Sequence, residues 1–332
     1  MLSELPSRFG LNLPGHPVKK YIEMAQYADR LGVDSLWVIE TRLDTDAVGP
    51  LAVYGSATDR IRLGSSVIPL WTRQPSLIAQ SFATLDLLAP GRIILGMGAW
   101  WEPLASRLGV ERRRPVRAMQ EVMESVRLLL ARDASVTYNG DYVHLDNAYL
   151  DHQAQGPHKV KIYIAAVGPA MLRLAGRLAD GVVFNRFYTV EAIQEAMKLL
   201  EDGARSAGRS IDQIDRVKLI NAEVTNDKKN SIEMAKLGLA QYIAQQPHIQ
   251  GPSGVDPDLV ERIRDLISWP ADKDAIRKGA KLIPDDFVDQ VCCFGEADEV
   301  CSRLGEYKKV GVACPIIGGP TFKTIDALAE GF

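Results

Sequence analysis

The chain has 332 residues, 46% of them hydrophobic and 24% charged, with a formal net charge of −3. That length suits one α/β barrel with insertions, and the weak negative charge argues against a nucleic-acid partner held by an overall field. Apolar runs such as IILGMGAWW are too short for a membrane span, and the opening MLSELPSRFG lacks the basic and apolar regions of a signal peptide, so the cytoplasm is the expected location.

Short branched-rich runs alternate with amphipathic ones. Arg8–Leu13 reads as a first strand, and Val18–Leu31 carries apolar residues at helical spacing until Gly32. Ser35–Ile39 is a second strand, followed by a helix over Asp46–Ala57. Ile61–Val67 is a third strand, and the helix Ser76–Leu88 closes on the Pro90–Gly91 breaker. Arg92–Gly98 is a fourth strand and Arg117–Ala131 a helix. Val136–Leu145 alternates around Asn139–Gly140, which predicts a hairpin outside the main sheet.

Lys161–Ala166 is a fifth strand with a helix over Ala170–Leu178, and Gly181–Asn185 a sixth with a helix over Val190–Ala207. Val217–Val224 is a seventh. Residues Thr225–Asp285 read as a helical insertion whose polar middle, Gln246–Pro257, predicts mobility. The helix Ala297–Tyr307 leads to an eighth strand, Val312–Ile317, and a last helix follows Thr321. Eight buried strands, each with a helical partner, predict a single-domain (β/α)8 TIM barrel over 1–332, with a doubly wound open sheet as the alternative.

In such barrels the chemistry sits at the C-terminal strand ends. That rule selects Asn12, then Glu40 and Thr41, then Ser65, Ser66 and Val67, then Gly98, Ala99, Trp100, Trp101 and Glu102. It also selects Ala165, Ala166, Val167 and Gly168, followed by Asn185 and Arg186. Small residues at 165–168 permit close backbone approach, and Gly168–Pro169 opens a helix whose free N–H groups favour an anion. Arg186 offers a matching charge; the bland reading is a plain turn with a surface arginine. Glu40 is either a buried proton-active carboxylate or a partner of Arg42. Trp100 and Trp101, with Trp71, are candidate pocket walls, or simply pack against a loop. Arg112–Arg114 reads as a solvated run that flanks the same loop.

Of the histidines, His16, His144, His152, His158 and His248, only His16 lies near a strand top, so neither a metal cluster nor a Ser-His-Asp triad is expected. Cys292, Cys293, Cys301 and Cys314 match no zinc spacing and read as buried reduced thiols.

The stretch LGSSVIPLWTRQPSLIAQSFATLDLLAPGRIILGMG resembles the luciferase-like, deazaflavin-dependent oxidoreductases, as do IYIAAVGPAMLRLAGRLADGVVFN and GVDSLWVIE. The resemblance covers essentially the whole chain and is strongest to methylene-tetrahydromethanopterin reductases and F420-dependent glucose-6-phosphate dehydrogenases. It implies a non-prolyl cis bond at Ser66–Val67 behind the deazaflavin ring, with a bulge that bends the ring. It implies that Ala165–Gly168 cradle a ribityl-phosphate arm, with Val183 and Asn185–Arg186 close by. It places Glu40 where the family has a cofactor-contacting aspartate. Thr41 stands where the family often has histidine, Trp100 and Trp101 where one branch has glycine and glutamate, and Asn12 where another has glutamate.

The expected activity is hydride transfer between coenzyme F420 and a small-molecule substrate. Glu40, Thr41, Glu102 and Asn12 are then candidates for proton transfer or substrate hydrogen bonding, and a homodimer is expected. An FMN-dependent monooxygenase served by a flavin reductase partner is the second reading. A silent cofactor- or pterin-binding barrel is the third.

Overall fold

The computed structural model describes residues 8–151 and 156–331. Its strands are β1 (Gly10–Asn12), β2 (Ser35–Val38), β3 (Arg62–Ser65), β4 (Ile68–Pro69), β5 (Ile93–Gly98) and β6 (Val136–Asn139). They continue with β7 (His144–Ala148), β8 (Lys161–Ala165), β9 (Gly181–Phe184), β10 (Asp215–Val224), β11 (Cys292–Gly295) and β12 (Cys314–Gly318). The parallel order β1-β2-β3-β5-β8-β9-β10-β12 returns to β1 through the register Gly10↔Ile316, so the sheet is a closed barrel and not an open one.

Period-two alternation explains the core. Trp37, Ile94, Tyr163, Val183, Val217, Leu219, Cys314 and Ile316 point inward as one buried cluster. Their neighbours Leu36, Val38, Leu95, Ile164, Phe184 and Ile220 point outward, into the cluster shared with the surrounding helices. Ile39, Val67 and Ala165 lie against the inner cluster, which makes it the floor of whatever the barrel mouth holds.

Three local features differ from the sequence expectation. The third strand stops at Ser65 and resumes as β4, which pairs with Met97 and Gly98 of β5. Between them the Ser66–Val67 peptide is cis, as the resemblance implies. A Cβ on Gly96 would lie 2.0 Å from the Ser65 carbonyl oxygen, and one on Gly98 2.6 Å from Val67 Cγ2. These two glycines let the bulged segment press against the sheet. Second, the Cys292–Cys293 pair belongs to a strand, β11, which takes over the upper half of β10 (Asn221–Val224) where β12 ends opposite Asn221. Cys301 is half-buried, while the other three cysteines are buried free thiols. Third, the Gln246–Pro257 stretch folds into a 3-10 turn, Pro247–Ile249, and a short helix, Gln250–Ser253.

The helices Lys228–Gln245, Pro257–Leu266, Lys273–Ala280 and Asp285–Val291 pack on their own apolar cluster around Leu239, Ile243, Leu259, Ile263 and Val288. Phe187, just past β9, joins that cluster and ties it to the barrel mouth. The β6–β7 hairpin stands apart as a two-stranded antiparallel sheet. Its turn is held by the buried Glu121 carboxylate, which accepts from the backbone amides of Asp141, Tyr142 and Val143. Among the described residues no helix is long and apolar enough to cross a membrane.

The opposite, N-terminal end of the barrel is closed by charge. Arg8 donates to Asp34 (2.9 Å) and Asp215 (2.9 Å), Arg62 donates to Asp34 (2.5 Å), and the Tyr163 hydroxyl donates to Asp215 (2.7 Å). Burial alone would raise the Asp215 carboxyl, but the Arg8 charge and these hydrogen bonds hold it below the usual carboxylate value.

Candidate active site

The C-terminal strand ends open into a cavity of about 390 Å³. Glu40, Thr41, Ser66, Val67, Gly98, Ala99, Trp100, Trp101, Ala165, Val167, Gly168, Val183 and Asn185 all line it, so most of the strand-top residues meet in one place. Leu219 and Ile39 form its floor with Val67 and Ala165.

Six of the selected residues do not line it. Asn12 turns sideways and donates to the Trp37 carbonyl at 3.0 Å. Glu102 is exposed and accepts from the Ser106 hydroxyl (2.5 Å) and amide (3.2 Å), capping the short helix Leu104–Arg107. The Ser106 hydroxyl also holds the Glu102 carboxyl below its ordinary value. Ser65 is buried, and its hydroxyl exchanges hydrogen bonds of 2.9 Å with the Gly96 backbone. Ala166 is buried behind the loop. Arg186 turns towards Asn221, donating at 3.2 Å. Trp71 packs edge-on to Tyr142 and donates to the Ala99 carbonyl at 2.9 Å, so it positions the Trp100 loop from outside the cavity.

Glu40 lines the cavity but pairs with Arg73, not Arg42. The guanidinium donates to both carboxylate oxygens (2.6 and 2.9 Å), and the Ala47 amide donates to one of them (3.0 Å). A carboxylate engaged by a bidentate arginine and an amide holds a loop well and has little left for shuttling a proton.

Three residues from the helical segment complete the cavity: Tyr242, Gln246 and His248. The strand-top rule missed them because they arrive from a segment remote in sequence that folds over the mouth. The expectation that only His16 lies near the site is corrected by His248; His152 lies outside the described residues. The His248 ring sits 5.9 Å from the Trp101 ring, and its buried Nδ1 has no protein partner. Burial, reinforced by the Arg112 charge, pushes the imidazole down to about 4, so it is neutral near pH 7. Arg112 also lines the cavity and donates to the Ala99 carbonyl at 2.8 Å, while Arg113 and Arg114 are exposed. Arg112 therefore departs from the solvated run.

Buried polar atoms without protein partners cluster here: Ser66 Oγ, Trp100 Nε1, Trp101 Nε1, Gln246 Nε2 and His248 Nδ1. Buried donors and acceptors are normally paired, so such a concentration around one apolar slot marks a ligand site. Trp100 is held at φ 55°, a left-handed conformation unusual for a large side chain. At the far wall the helix Pro169–Leu178 begins at Gly168 with no side-chain cap, leaving its first amides free for an anion.

Residues 5–314 match the luciferase-like monooxygenase family. The chain belongs to that family. It is 28% identical over 317 residues to a 5,10-methylenetetrahydromethanopterin reductase of Archaeoglobus fulgidus, covering 94% of this chain and 93% of that one. It is 32% identical over 258 residues to an F420-dependent glucose-6-phosphate dehydrogenase of Kineococcus radiotolerans, covering 74% and 75%. The solved coenzyme F420-dependent tetrahydromethanopterin reductase from Methanopyrus kandleri superposes with a TM-score of 0.85 at 25% identity, over 98% of each chain.

Proposed function

We propose that this protein is an oxidoreductase that binds coenzyme F420 and transfers a hydride between it and a small organic substrate. The observation that carries the reading is the composition of the slot. Its apolar walls hold unpaired polar atoms, with the Ser66–Val67 bulge on one side and an uncapped helix start on the other. These residues fit a flat ring with a phosphate arm. Val67, Ala99 and Trp100 would flank the ring; Ala165, Val167, Gly168 and the following amides would hold the arm. When bound, the deazaflavin supplies the carbon that gives or takes the hydride.

The chain supplies the proton handling. Glu40 and Glu102 are engaged elsewhere, and Asn12 does not face the cavity. His248, neutral and facing the slot, is the group suited to hold the proton that a substrate hydroxyl gives up or a carbonyl takes on. We further infer a single-domain cytoplasmic protein that works as a homodimer.

Titration of the purified protein with F420 and, separately, FMN, followed by fluorescence quenching, tests the cofactor. Binding of F420 with FMN at least tenfold weaker (about 1.4 kcal/mol) is the expected result. Tight FMN binding alone would make it a monooxygenase supplied by a flavin reductase, and binding of neither would leave a silent barrel. With F420 bound, a panel of alcohols, sugar phosphates and pterins locates the substrate. His248→Gln should then lower turnover by about 10²–10⁴-fold while leaving F420 affinity unchanged.

A further inference from the structure

Two guanidinium groups beside the cavity lack the partners that buried cations normally have. Arg42 follows β2 and Arg186 follows β9, on opposite sides of the barrel. The Arg42 side chain nevertheless reaches the helical segment, within range of the Arg186 charge. Arg42 lies over the Tyr242 ring at 5.2 Å from its centroid, and the same ring meets Phe187, the neighbour of Arg186, edge-on at 4.8 Å. Arg42 thus reaches across the mouth.

Arg42 Nε and Nη2 and Arg186 Nε are buried without a hydrogen-bond partner. The one bond from the Arg186 side chain goes to the neutral Asn221 amide oxygen. Among the described residues neither arginine makes an ion pair, although Arg73, Arg112 and Glu40 close by are all satisfied. The surrounding charges deepen the imbalance. Buried Lys218 donates to the Arg186 carbonyl, and the carboxylate whose charge acts on Arg42, that of Asp44, is exposed. Burial lowers the affinity of Arg42 for its proton; Tyr242 opposes this, the Arg186 charge adds to it, and Asp44 makes the smallest contribution against it.

The backbone is also committed to this arrangement. Arg42 and Leu43 both hold left-handed φ values, 54° and 59°, each costing on the order of 1–2 kcal/mol for a residue with a side chain. Strain, lost hydration and like-charge repulsion are all spent on bringing two unpaired forks together. An anion with several acceptor oxygens would satisfy all of these donors at once.

We propose that Arg42 and Arg186 form an anion-binding subsite at the barrel mouth that receives the carboxylate or phosphate group of the substrate. The assignment to substrate rests on the cofactor reading above, in which the phosphate arm lies at 165–168. It makes the substrate an acid-bearing molecule whose reacting carbon points into the slot under His248.

The test uses inorganic phosphate as the probe, followed by ³¹P line broadening at low ionic strength, in the free and the F420-saturated protein. Wild type should bind one phosphate per chain in the millimolar range in both states. Arg42→Gln and Arg186→Gln should each weaken binding by about tenfold or more. Arg42→Lys, which keeps the charge without the fork, should fall between. Circular dichroism checks that the variants fold, and unchanged F420 affinity checks that the slot is intact. No phosphate binding to wild type, or equal binding to the glutamine variants, would overturn the subsite. Phosphate binding that F420 abolishes would overturn its assignment to substrate and give the guanidiniums to the cofactor. If F420 fails to bind, the cofactor reading falls by itself, and the phosphate result in the free protein still decides the subsite.

Discussion

The two ends of the barrel handle charge in opposite ways. At the N-terminal end Arg8, Arg62, Asp34, Asp215 and Tyr163 interlock in one network in which every charged group has an opposite partner, and Asp215 Oδ1 alone of the network's side-chain polar atoms is buried without a hydrogen bond. At the C-terminal end Arg42, Arg186, Ser66, Trp100, Trp101, Gln246 and His248 all keep buried polar atoms without partners. Both ends belong to the same strands, only a few residues apart, so chain composition does not explain the difference. A barrel has to be sealed at one end and receptive at the other. Complementary side chains do the sealing, and reception requires donors and acceptors that the protein leaves for something else.

Breaking the sealed end should cost the most. Asp215→Ala leaves the Tyr163 hydroxyl without its acceptor and Arg8 with Asp34 alone, and should destabilise by about 3–5 kcal/mol, read from denaturant unfolding. Ligand affinity at the mouth should change little in the variant that still folds. A comparable loss of ligand affinity would mean that the two ends are coupled.

Acid should distinguish the ends by pH window. The folded His248 takes a proton only near pH 4, whereas the unfolded side chain does so near 6.5. The unfolded state therefore binds more protons between those values, and stability falls as pH drops through that window, by roughly 3 kcal/mol at most. The Asp215 carboxyl is held below its ordinary 3.8, so its contribution is present above that value and is lost only at lower pH. His248→Gln should flatten the first loss and leave the second, as unfolding curves from pH 7 to 3 would show. An unchanged slope between 6.5 and 4 would remove His248 from the buried neutral state.

Gly96→Ala attacks the bulge that shapes the mouth. Its Cβ would meet the Ser65 carbonyl, so about 1–3 kcal/mol of stability and much of the F420 affinity should be lost together. Stability lost with affinity intact would show that the bulge is architectural only. The smallest effect is expected from Arg42→Gln, which removes an unpaired cation and relieves repulsion with Arg186. Its unfolding free energy should be unchanged or slightly higher, by less than about 1 kcal/mol. A marked loss would mean that the stack on Tyr242 is a structural strut.

The strands were legible because inward residues such as Trp37, Ile94, Tyr163 and Val183 alternate with outward ones. The mouth was partly legible for the same reason: a residue just past a strand points where the strand ends. This places Thr41, Ser66, Val67, Gly98 and Ala165 correctly on the cavity. Position alone gives no rotamer, and so it misassigned Glu102, which caps its own helix, and Asn12, which turns to Trp37. It offered Glu40 only its sequence neighbour Arg42 as a partner, beside the reading of a proton-active carboxylate, whereas the acceptor geometry suits Arg73 from beyond β4. His248 and Tyr242 were invisible because their place depends on how the helical segment packs on Phe187, a contact with no local sequence signature. β11 is hidden in the sequence because Cys292–Gly295 is short and carries no branched residue to signal a strand.

Hydrogen–deuterium exchange with and without saturating F420 tests the central claim most directly. The account predicts new protection at residues 65–70, 98–101, 165–172 and 242–250, with no change around Asp34 and Asp215. Protection at the sealed end, or none at the mouth despite measured binding, would contradict it.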